Sequence, residues 1–411
     1  MSLVKMNSSS PGARVIALVL GTCVSTQVAV ALDPQNLELG NWDIIPTLYT
    51  DFLYDDNVFQ SSSLERGSYV ATLNPRIAAA IEDRGNTYSV TAEIIEGLYS
   101  HSSVDDYTDW RLEGNADMQI LGNQSLELSA SLFDTHESRG SGLSRYSALP
   151  DELIEFELNS FGLAYELGTE ESQSRLVLDF DIRDKSYQNA VENGFSAGVD
   201  YKLTALSAKF YVQSWNRINL NLEAVHRQYN HDSLTEDSNG TLSYLDSTER
   251  GLFVGVELEP TVNTSGTFKL GFLDKRFDQR SGSDDQQVSY DGSLQWQIFG
   301  RSYSTLTFTA RQEFEDSPGF ADGRSSRLLG VTWEHNWRPR ITTAVNYNDS
   351  KYSYLGDELD ESFKDMGLSF RYNFRRWIDL RVEFVRSELN TNESAFAYKT
   401  NSLIFGMDLS L

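Results

Sequence analysis

Apolar and polar residues alternate along most of the chain from Asn41 onward, in runs of roughly a dozen residues. In the run "LVLDFDI", Leu178 and Phe180 share one face, whereas Asp179 and Asp181 share the other. A period of two is typical of a β-strand that has one face against an apolar medium and one face in water. The pattern therefore predicts a succession of amphipathic strands.

Counting these runs predicts an all-β chain of about eighteen strands, within a range of 16–18. The predicted strands are 42–54, 68–82, 87–99, 106–121, 125–135, 153–167, 174–187, 195–212, 217–229, 247–260, 266–278, 286–299, 303–315, 326–338, 341–353, 362–375, 378–390 and 399–411. Short connections such as "EDRGN" and "GNQ" alternate with long ones such as "HESRGSGLSRYSALPDE".

This alternation of connection lengths separates the possible architectures. Nothing in a soluble sandwich or propeller makes every second connection short. An outer-membrane barrel crosses ~25 Å of lipid on tilted strands, with short periplasmic turns and longer extracellular loops. We therefore predict a transmembrane antiparallel up-and-down β-barrel with short periplasmic turns and longer, acidic extracellular loops.

Aromatic residues lie near the ends of the predicted strands. The tryptophans next to short turns are Trp42, Trp215, Trp337 and Trp377. The tyrosines next to long loops are Tyr54, Tyr99, Tyr107, Tyr187, Tyr229 and Tyr352. Amphipathic rings at both membrane interfaces form girdles in such barrels, and this pattern predicts two of them.

The first 31 residues have the layout of a cleaved export signal. Lys5 and Arg14 precede the apolar run "VIALVLGTCV", and "AVA" at positions 29–31 precedes the expected cut after Ala31. The expected domains are a signal peptide at 1–31 and one barrel at 32–411. Cys23, the only cysteine, lies in the signal, and Thr22 makes a lipoprotein the weaker alternative. No later apolar run reaches ~18 residues.

The formal charge of −26 argues against nucleic acid as a partner, because phosphate binding needs a basic surface. We expect the outer membrane of a Gram-negative bacterium, with lipid and lipopolysaccharide as surroundings. Several predicted outer loops are acidic, at Asp105 and Asp106, Asp284 and Asp285, and "GDELDE" from Gly356 to Glu361. Divalent cations are the expected bridge between these carboxylates and lipopolysaccharide, and no other cofactor is expected.

The sequence contains no recognisable catalytic motif. The five histidines are isolated, G-x-S-x-G and Gly-rich phosphate loops are absent, and the expected mature chain has no cysteine nucleophile. We therefore predict that the protein is not an enzyme. A barrel hydrolase with a Ser–His pair assembled in space, and a structural surface barrel without an open lumen, remain the alternatives.

If the apolar face meets lipid, the charged residues of the other face project into the lumen. These candidates are Asp179, Asp181, Arg183, Glu223, Glu257, Lys269, Arg371, Arg375, Asp379, Arg381 and Glu383. They could stiffen a wetted wall through cross-strand pairs, or they could form a track for a hydrophilic solute. The predicted loops 136–152 and 231–246 are the longest, and either could fold inward as a constriction or a lid.

The segment "IPTLYTDFLYDDNVF" ends the first predicted strand with Asp55, Asp56 and Asn57. Asp and Asn favour turns where a chain leaves a sheet, whereas three oxygen-bearing side chains could also bind a divalent cation. The spacing does not match a calcium loop, so the turn is favoured. On that basis, replacing Asp55 and Asp56 by Asn is expected to change little but local loop order.

A first strand containing Pro46 and leading into "DDNVF", followed by "LNP" ending at Pro75, resembles the putative β-barrel porin 2 family. These outer-membrane barrels are often associated with capsule and exopolysaccharide production. The resemblance implies export or assembly of a surface polysaccharide, with periplasmic export proteins as partners. A general or cation-preferring diffusion porin is the alternative, which an acidic mouth would suit.

Overall fold

The computed structural model describes residues 36–145, 153–169, 172–189, 197–215, 217–236, 240–261, 263–298, 303–317, 319 and 321–410. The predicted signal peptide and Cys23 lie outside these residues. Within them, no helix is long and apolar enough to cross a bilayer.

The described chain is built from β-strands joined by turns and loops. Eighteen strands, β2–β10 and β13–β21, are 12–16 residues long, and three others are short. The strands are β1 Leu37–Leu39, β2 Trp42–Asp55, β3 Ser68–Asp83, β4 Asn86–Tyr99, β5 Tyr107–Leu121, β6 Gln124–Glu137, β7 Ile154–Leu167, β8 Ser174–Tyr187, β9 Tyr201–Trp215, β10 Ile218–Asn230, β11 Thr235–Glu236, β12 Leu242–Ser243, β13 Ser247–Thr261, β14 Thr264–Phe277, β15 Asp285–Gln297, β16 Ser304–Glu315, β17 Gly323–Arg338, β18 Ile341–Leu355, β19 Asp360–Arg375, β20 Ile378–Thr391 and β21 Tyr398–Ser410.

The eighteen long strands form one closed antiparallel barrel. Each pairs with its neighbours in the chain, and β2 pairs with both β3 and β21. The prediction of an all-β, eighteen-stranded barrel is confirmed. The largest boundary error is at β9, which begins at Tyr201 because Ala197–Val199 form a 3-10 turn. The short strands β1, β11 and β12 were not predicted.

Alternation along each strand separates an apolar outer face from a more polar inner face. On β13 and β14, Leu252, Val254 and Phe272 are 63%, 64% and 70% exposed, whereas Phe253 and Leu273 are buried. Exposed apolar side chains on every second position are the pattern of a lipid-facing barrel surface. The remaining residues of each strand, which are mostly polar, point into the barrel.

The connections define two ends of the barrel. We call the end with the connections 56–67, 138–153 and 231–246 the long-loop end, and the opposite end the short-turn end. The small strand β1 lies at the short-turn end, where it pairs with Trp42–Ile44 of β2. On the same edge of β2, pairing with β21 begins only at Thr47.

The predicted aromatic girdles are only partly correct. Trp337, at the end of β17, and Trp377, in the turn between β19 and β20, are exposed at the short-turn end, as expected for an interface anchor. The tyrosine girdle is wrong for Tyr187, Tyr229 and Tyr352, which are buried. These rings occupy inward positions of their strands and pack inside the barrel, so proximity to a long loop does not identify an outward-facing aromatic.

Candidate functional site

Contacts that skip strands identify the inner wall directly. Arg175 of β8 donates to Glu257 of β13 at 3.1 Å, although β9 and β10 lie between these strands. Only the concave side of a closed sheet brings such side chains together. The Arg175 guanidinium also lies 3.6 Å from Glu166 of β7 and 4.1 Å from the ring centroid of Tyr211 on β9.

A belt of ion pairs continues around this sector of the inner wall. Lys209 lies 2.8 Å from Asp179, and its Nζ is 4.0 Å from Glu223. Lys269 lies 2.9 Å from the other oxygen of Glu223. These pairs lie in the half of the barrel nearer the short-turn end. Glu223 is buried, whereas Lys209, Asp179 and Lys269 keep some contact with solvent. They can therefore offer hydrogen bonds to a polar solute.

The opposite sector of the wall is more tightly packed. Arg381 lies 2.6 Å from Asp51 and 3.9 Å from Asp408, so one guanidinium joins β20 to both β2 and β21. Asp379 is buried and accepts the side-chain amide of Asn373 at 2.7 Å. Glu383 is also buried. Here the inner face is a bonded wall rather than an open track.

The predicted lumen residues are distributed unevenly. Arg371 and Arg381 are register partners on β19 and β20, so these two basic lumen candidates lie beside each other. Arg375 does not join them, since it is exposed at the end of β19 with its guanidinium 5.3 Å from the Phe374 ring centroid. Arg183 is half-buried on β8. Whether these residues line a conduction path remains a prediction.

Sequence reasoning missed a group of free carboxylates on the inner wall. Asp117 and Glu127 are register partners on β5 and β6, and the row continues through Ala164 to Asp179. Asp117 is exposed, as is Asp181 beside this row. Neither Asp117 nor Glu127 makes a hydrogen bond or ion pair with any described residue. The exposure of Asp117 indicates water inside the barrel near the short-turn end.

At the long-loop end, the connections fold inward and pack together. Leu143 and Leu245, from the connections 138–153 and 231–246, are 1% and 2% exposed. They share one apolar cluster with Phe156, Tyr187 and Val199. The interpretation that these long loops could turn into the lumen therefore fits their described parts. Residues 146–152 of the first loop lie outside the description.

One contact crosses the barrel at this end. Eight strands separate the connections 138–153 and 316–322 in one direction and ten in the other, so these loops start almost opposite each other. Even so, a Cβ atom at Gly319 would lie 3.1 Å from Cγ of Leu143 and 3.9 Å from Val199. The described loops thus bridge the mouth from one wall to the other.

Arg280 ties its own connection, 278–284, to the connections 231–246 and 316–322. It is 7% exposed in the connection 278–284 and donates to the Ser243 hydroxyl at 2.7 Å and the Ser243 carbonyl at 3.1 Å. It also donates to the carbonyl and hydroxyl of Thr235 and forms an ion pair with Asp322. Asp322 accepts a second hydrogen bond from Ser283. Nothing in the local sequence around Arg280 signals this role.

His231 begins the connection 231–246 and is buried beside this loop cluster. Within the described structure neither ring nitrogen has a hydrogen-bond partner, and Nδ1 lies 3.8 Å from Asp246. Burial lowers the pKa of His231 to about 4, with Lys275 and Arg280 acting in the same direction and Asp316 opposing them. The ring is therefore neutral at neutral pH.

The segment Asp55–Asn57 joins the first long strand to the last. Asp56 accepts the backbone N–H of Asn401 at 2.7 Å and its side-chain amide at 2.8 Å. Asp55 accepts the hydroxyls of Thr400 at 2.7 Å and Ser402 at 2.8 Å. We call this group the closure clasp. The strand does end at Asp55, and the carboxylates also bond to the last strand, which the sequence did not indicate. That replacing them by Asn changes little but local order stays a prediction.

Asn57 completes the closure clasp. It is 1% exposed, and its amide donates to the carbonyls of Ser61 and Lys399, both at 2.9 Å. The hydrogen-bond capacity of the segment is thus used by the protein itself. No group of three or more His, Cys, Asp or Glu side chains in the described chain is arranged to hold a metal.

The "LNP" segment has a separate structural explanation. Pro75 of β3 has no N–H, and the ladder between β3 and β4 is interrupted at Asn74 and Pro75. The side chain of Asn74 donates to the carbonyl of Ile94 at 2.9 Å and replaces the missing donor. Pro46 lies in the gap between the β1 and β21 pairings of β2. Both prolines therefore occupy positions where the ladder is open.

The described histidines do not assemble a hydrolase triad. His101 contacts Ser100 at 2.7 Å, but no described carboxylate hydrogen-bonds to this ring. His136 contacts Asp109 at 2.9 Å, and no described serine completes that pair. The acidic outer loops are also partly used internally, since Asp105 and Glu361 are buried.

Comparisons with known proteins agree with this architecture. Residues 31–411 match the model of the family described as "Putative beta-barrel porin 2". The outer membrane protein opdK from Pseudomonas aeruginosa is 13% identical, with a TM-score of 0.50 over 90% of this chain and 99% of that one. Pseudomonas aeruginosa OpdQ is 11% identical, with a TM-score of 0.49 over 91% and 99%. At this identity the similarity to opdK concerns the fold alone. A search of the curated proteins gives no match.

Proposed function

Because the chain belongs to the putative β-barrel porin 2 family, we propose that this porin-like outer-membrane barrel takes part in export or assembly of a surface exopolysaccharide or capsule. The association of the family with capsule and exopolysaccharide production supports the process. The observation that carries the proposal for this chain is the Leu143–Gly319 contact, because a mouth bridged by loops suits regulated passage better than steady diffusion.

In this proposal the barrel performs transport rather than covalent chemistry. Sugar hydroxyls would exchange hydrogen bonds with water for bonds to wall groups such as Lys209, Lys269 and Asp179. Because each of these groups already has an ionic partner, no single site would bind the polysaccharide tightly. The polysaccharide could therefore slide from one ion pair to the next. Periplasmic and inner-membrane proteins would deliver the polymer, and lipopolysaccharide would surround the outer rim.

A cation-preferring diffusion porin is the second candidate. The free carboxylates at Asp117 and Glu127 favour it, because fixed negative charge on a wetted wall raises the local concentration of cations. In that case the loops that bridge the mouth would move apart often enough to support a steady current. The protein would then pass small solutes with no connection to polysaccharide.

Deletion of this gene alone, with complementation, tests the first candidate. The polysaccharide is quantified on the surface, in the medium and in the periplasm. Loss from the surface that is restored by the complementing gene supports the export role. An unchanged distribution would contradict it and leave the diffusion porin, for which planar-bilayer measurements should then give a large steady cation current.

A further inference from the structure

The inward-folded parts of the connections 138–153, 231–246 and 316–322 form a loop cover over the long-loop end. This cover is held by a residue of the seven-residue connection 278–284 at the same end. We infer that Arg280 is a latch that keeps the mouth closed, and that releasing it opens the lumen to the solute. The inference rests on the proposed function only in taking the lumen as the solute path. It adds a specific closed state and the residue that maintains it.

The contacts of Arg280 are arranged to join moving parts. Thr235 and Ser243 belong to the connection 231–246, whereas Asp322 belongs to the connection 316–322. The guanidinium is planar and presents several donors in a fixed fork, so it can hold both connections at once. A lysine at this position would keep the charge but could not reproduce these directions.

The two connections held by Arg280 flank the contact that crosses the mouth. Leu245 of the connection 231–246 packs in the same cluster as Leu143, and Gly319 of the connection 316–322 lies against Leu143 and Val199 of that cluster. Fixing both connections therefore fixes two of the segments that pack against Leu143. Release of Arg280 frees both segments together.

The composition of the cover is consistent with a reversible closure. Across the barrel, Leu143 meets a glycine rather than an interlocking side chain, and much of the remaining attachment is hydrogen bonds and ion pairs. When the loops separate, both partners of such a polar contact can bond to water instead, whereas an apolar contact has no such replacement. The strands below need not change for the cover to move.

Single-channel recording of the purified full-length barrel in planar bilayers tests the latch. Arg280→Lys and Asp322→Asn are each expected to raise the fraction of time spent open by at least about tenfold, the effect of losing one charge-assisted hydrogen bond. Arg276→Lys is the matched control. Arg276 lies near Arg280 in the chain and pairs with Asp274 at 2.8 Å, but it is exposed and holds no loop.

A disulfide lock tests the closed state independently. The described chain contains no cysteine, and Cys23 lies in the predicted signal. Leu143→Cys with Gly319→Cys would join the loops across the mouth, because the Cβ position at Gly319 already lies 3.1 Å from Leu143 Cγ. Oxidation is expected to abolish openings, and reduction should restore them. Each single cysteine variant is the control.

A second lock guards against misfolding of the first, since Gly319 has a φ of +99°. A Cβ at Gly198 would lie 3.4 Å from Cβ of Thr235, close to the separation that a disulfide requires. Gly198→Cys with Thr235→Cys should pin one half of the cover and reduce openings on oxidation. Retained heat-modifiable gel mobility shows that each variant barrel has folded.

The outcomes separate the latch from the export role. The latch is wrong if Arg280→Lys behaves like the wild-type protein and if folded, oxidised locks conduct like their reduced forms. If the latch variants open the channel while gene deletion leaves the polysaccharide unchanged, the latch stands and the export role falls. If deletion removes the polysaccharide but neither latch variants nor locks alter conduction, the export role stands and the latch falls.

Discussion

Replacement of Asp56 by alanine tests whether the closure clasp stabilises the whole barrel. The carboxylate accepts two hydrogen bonds of 2.7 and 2.8 Å from Asn401 on the last strand. Hydrogen bonds to charged groups contribute about 1.5–3 kcal/mol each, and the lower value applies because Asp56 is only half-buried. We therefore expect the free energy of unfolding to fall by about 3 kcal/mol.

The measurement is urea unfolding of the refolded barrel in lipid vesicles, followed by tryptophan fluorescence. Asp284→Ala is the control, because Asp284 accepts one backbone N–H, from Phe277 at 2.8 Å, and this bond spans only seven residues of one loop and the strand before it. Its expected loss is about 1.5 kcal/mol. A loss for Asp56→Ala below about 1 kcal/mol, or no larger than that of the control, would refute the clasp. Asp56→Asn should lie between, since an amide keeps one acceptor of two.

Three further predictions follow from separate features. Because the pKa of His231 is lowered in the folded protein, its neutral ring contributes stability above pH ~6.5, and this stability is lost as the pH falls towards 4. The free energy of unfolding, measured by urea titration, should therefore be about 3 kcal/mol lower at pH 4 than at pH 7 on account of this residue. His231→Gln should remove that part of the difference. Removal of divalent cations should loosen the outer rim, measured as faster proteolysis of the acidic loops; Asp357→Asn should weaken this response, and equal proteolysis with and without cations would contradict it. Asn74→Ala should lower the free energy of unfolding by about 1–2 kcal/mol by leaving the Ile94 carbonyl without its donor, and an unchanged urea midpoint would show that water replaces the amide.

The fold was predictable because its main signal is local. Alternation with a period of two fixes where each strand lies and which face is apolar, and the alternation of connection lengths points to a membrane barrel. The same alternation could also have shown that some of the tyrosines point inward. Tyr187 is an even number of residues from Asp179 and Asp181, so it shares their inward face, and its position beside a long loop was the weaker clue.

The contacts of the site could not be predicted in the same way. Asp56 and Asn401 are separated by 345 residues, and only the order of strands around the barrel brings them together. Arg280, Thr235 and Asp322 lie in three different connections, whose directions depend on packing rather than on local pattern. Sequence spacing shows which residues share a face, but it does not show how a loop folds back over that face.

The short strand β1 bears on how the barrel avoids association with other chains. At the short-turn end, β2 begins at Trp42, but its pairing with β21 begins only at Thr47. Without β1, the backbone groups of Trp42–Ile44 on that edge would be unpaired. Such an edge is a template for a strand from another molecule. By folding back over it, Leu37–Leu39 occupies the template with the chain's own backbone. The segment before the first long strand thus replaces the open edge of β2 with the edge of a three-residue strand, and very short edge strands are one means by which proteins limit edge-to-edge aggregation.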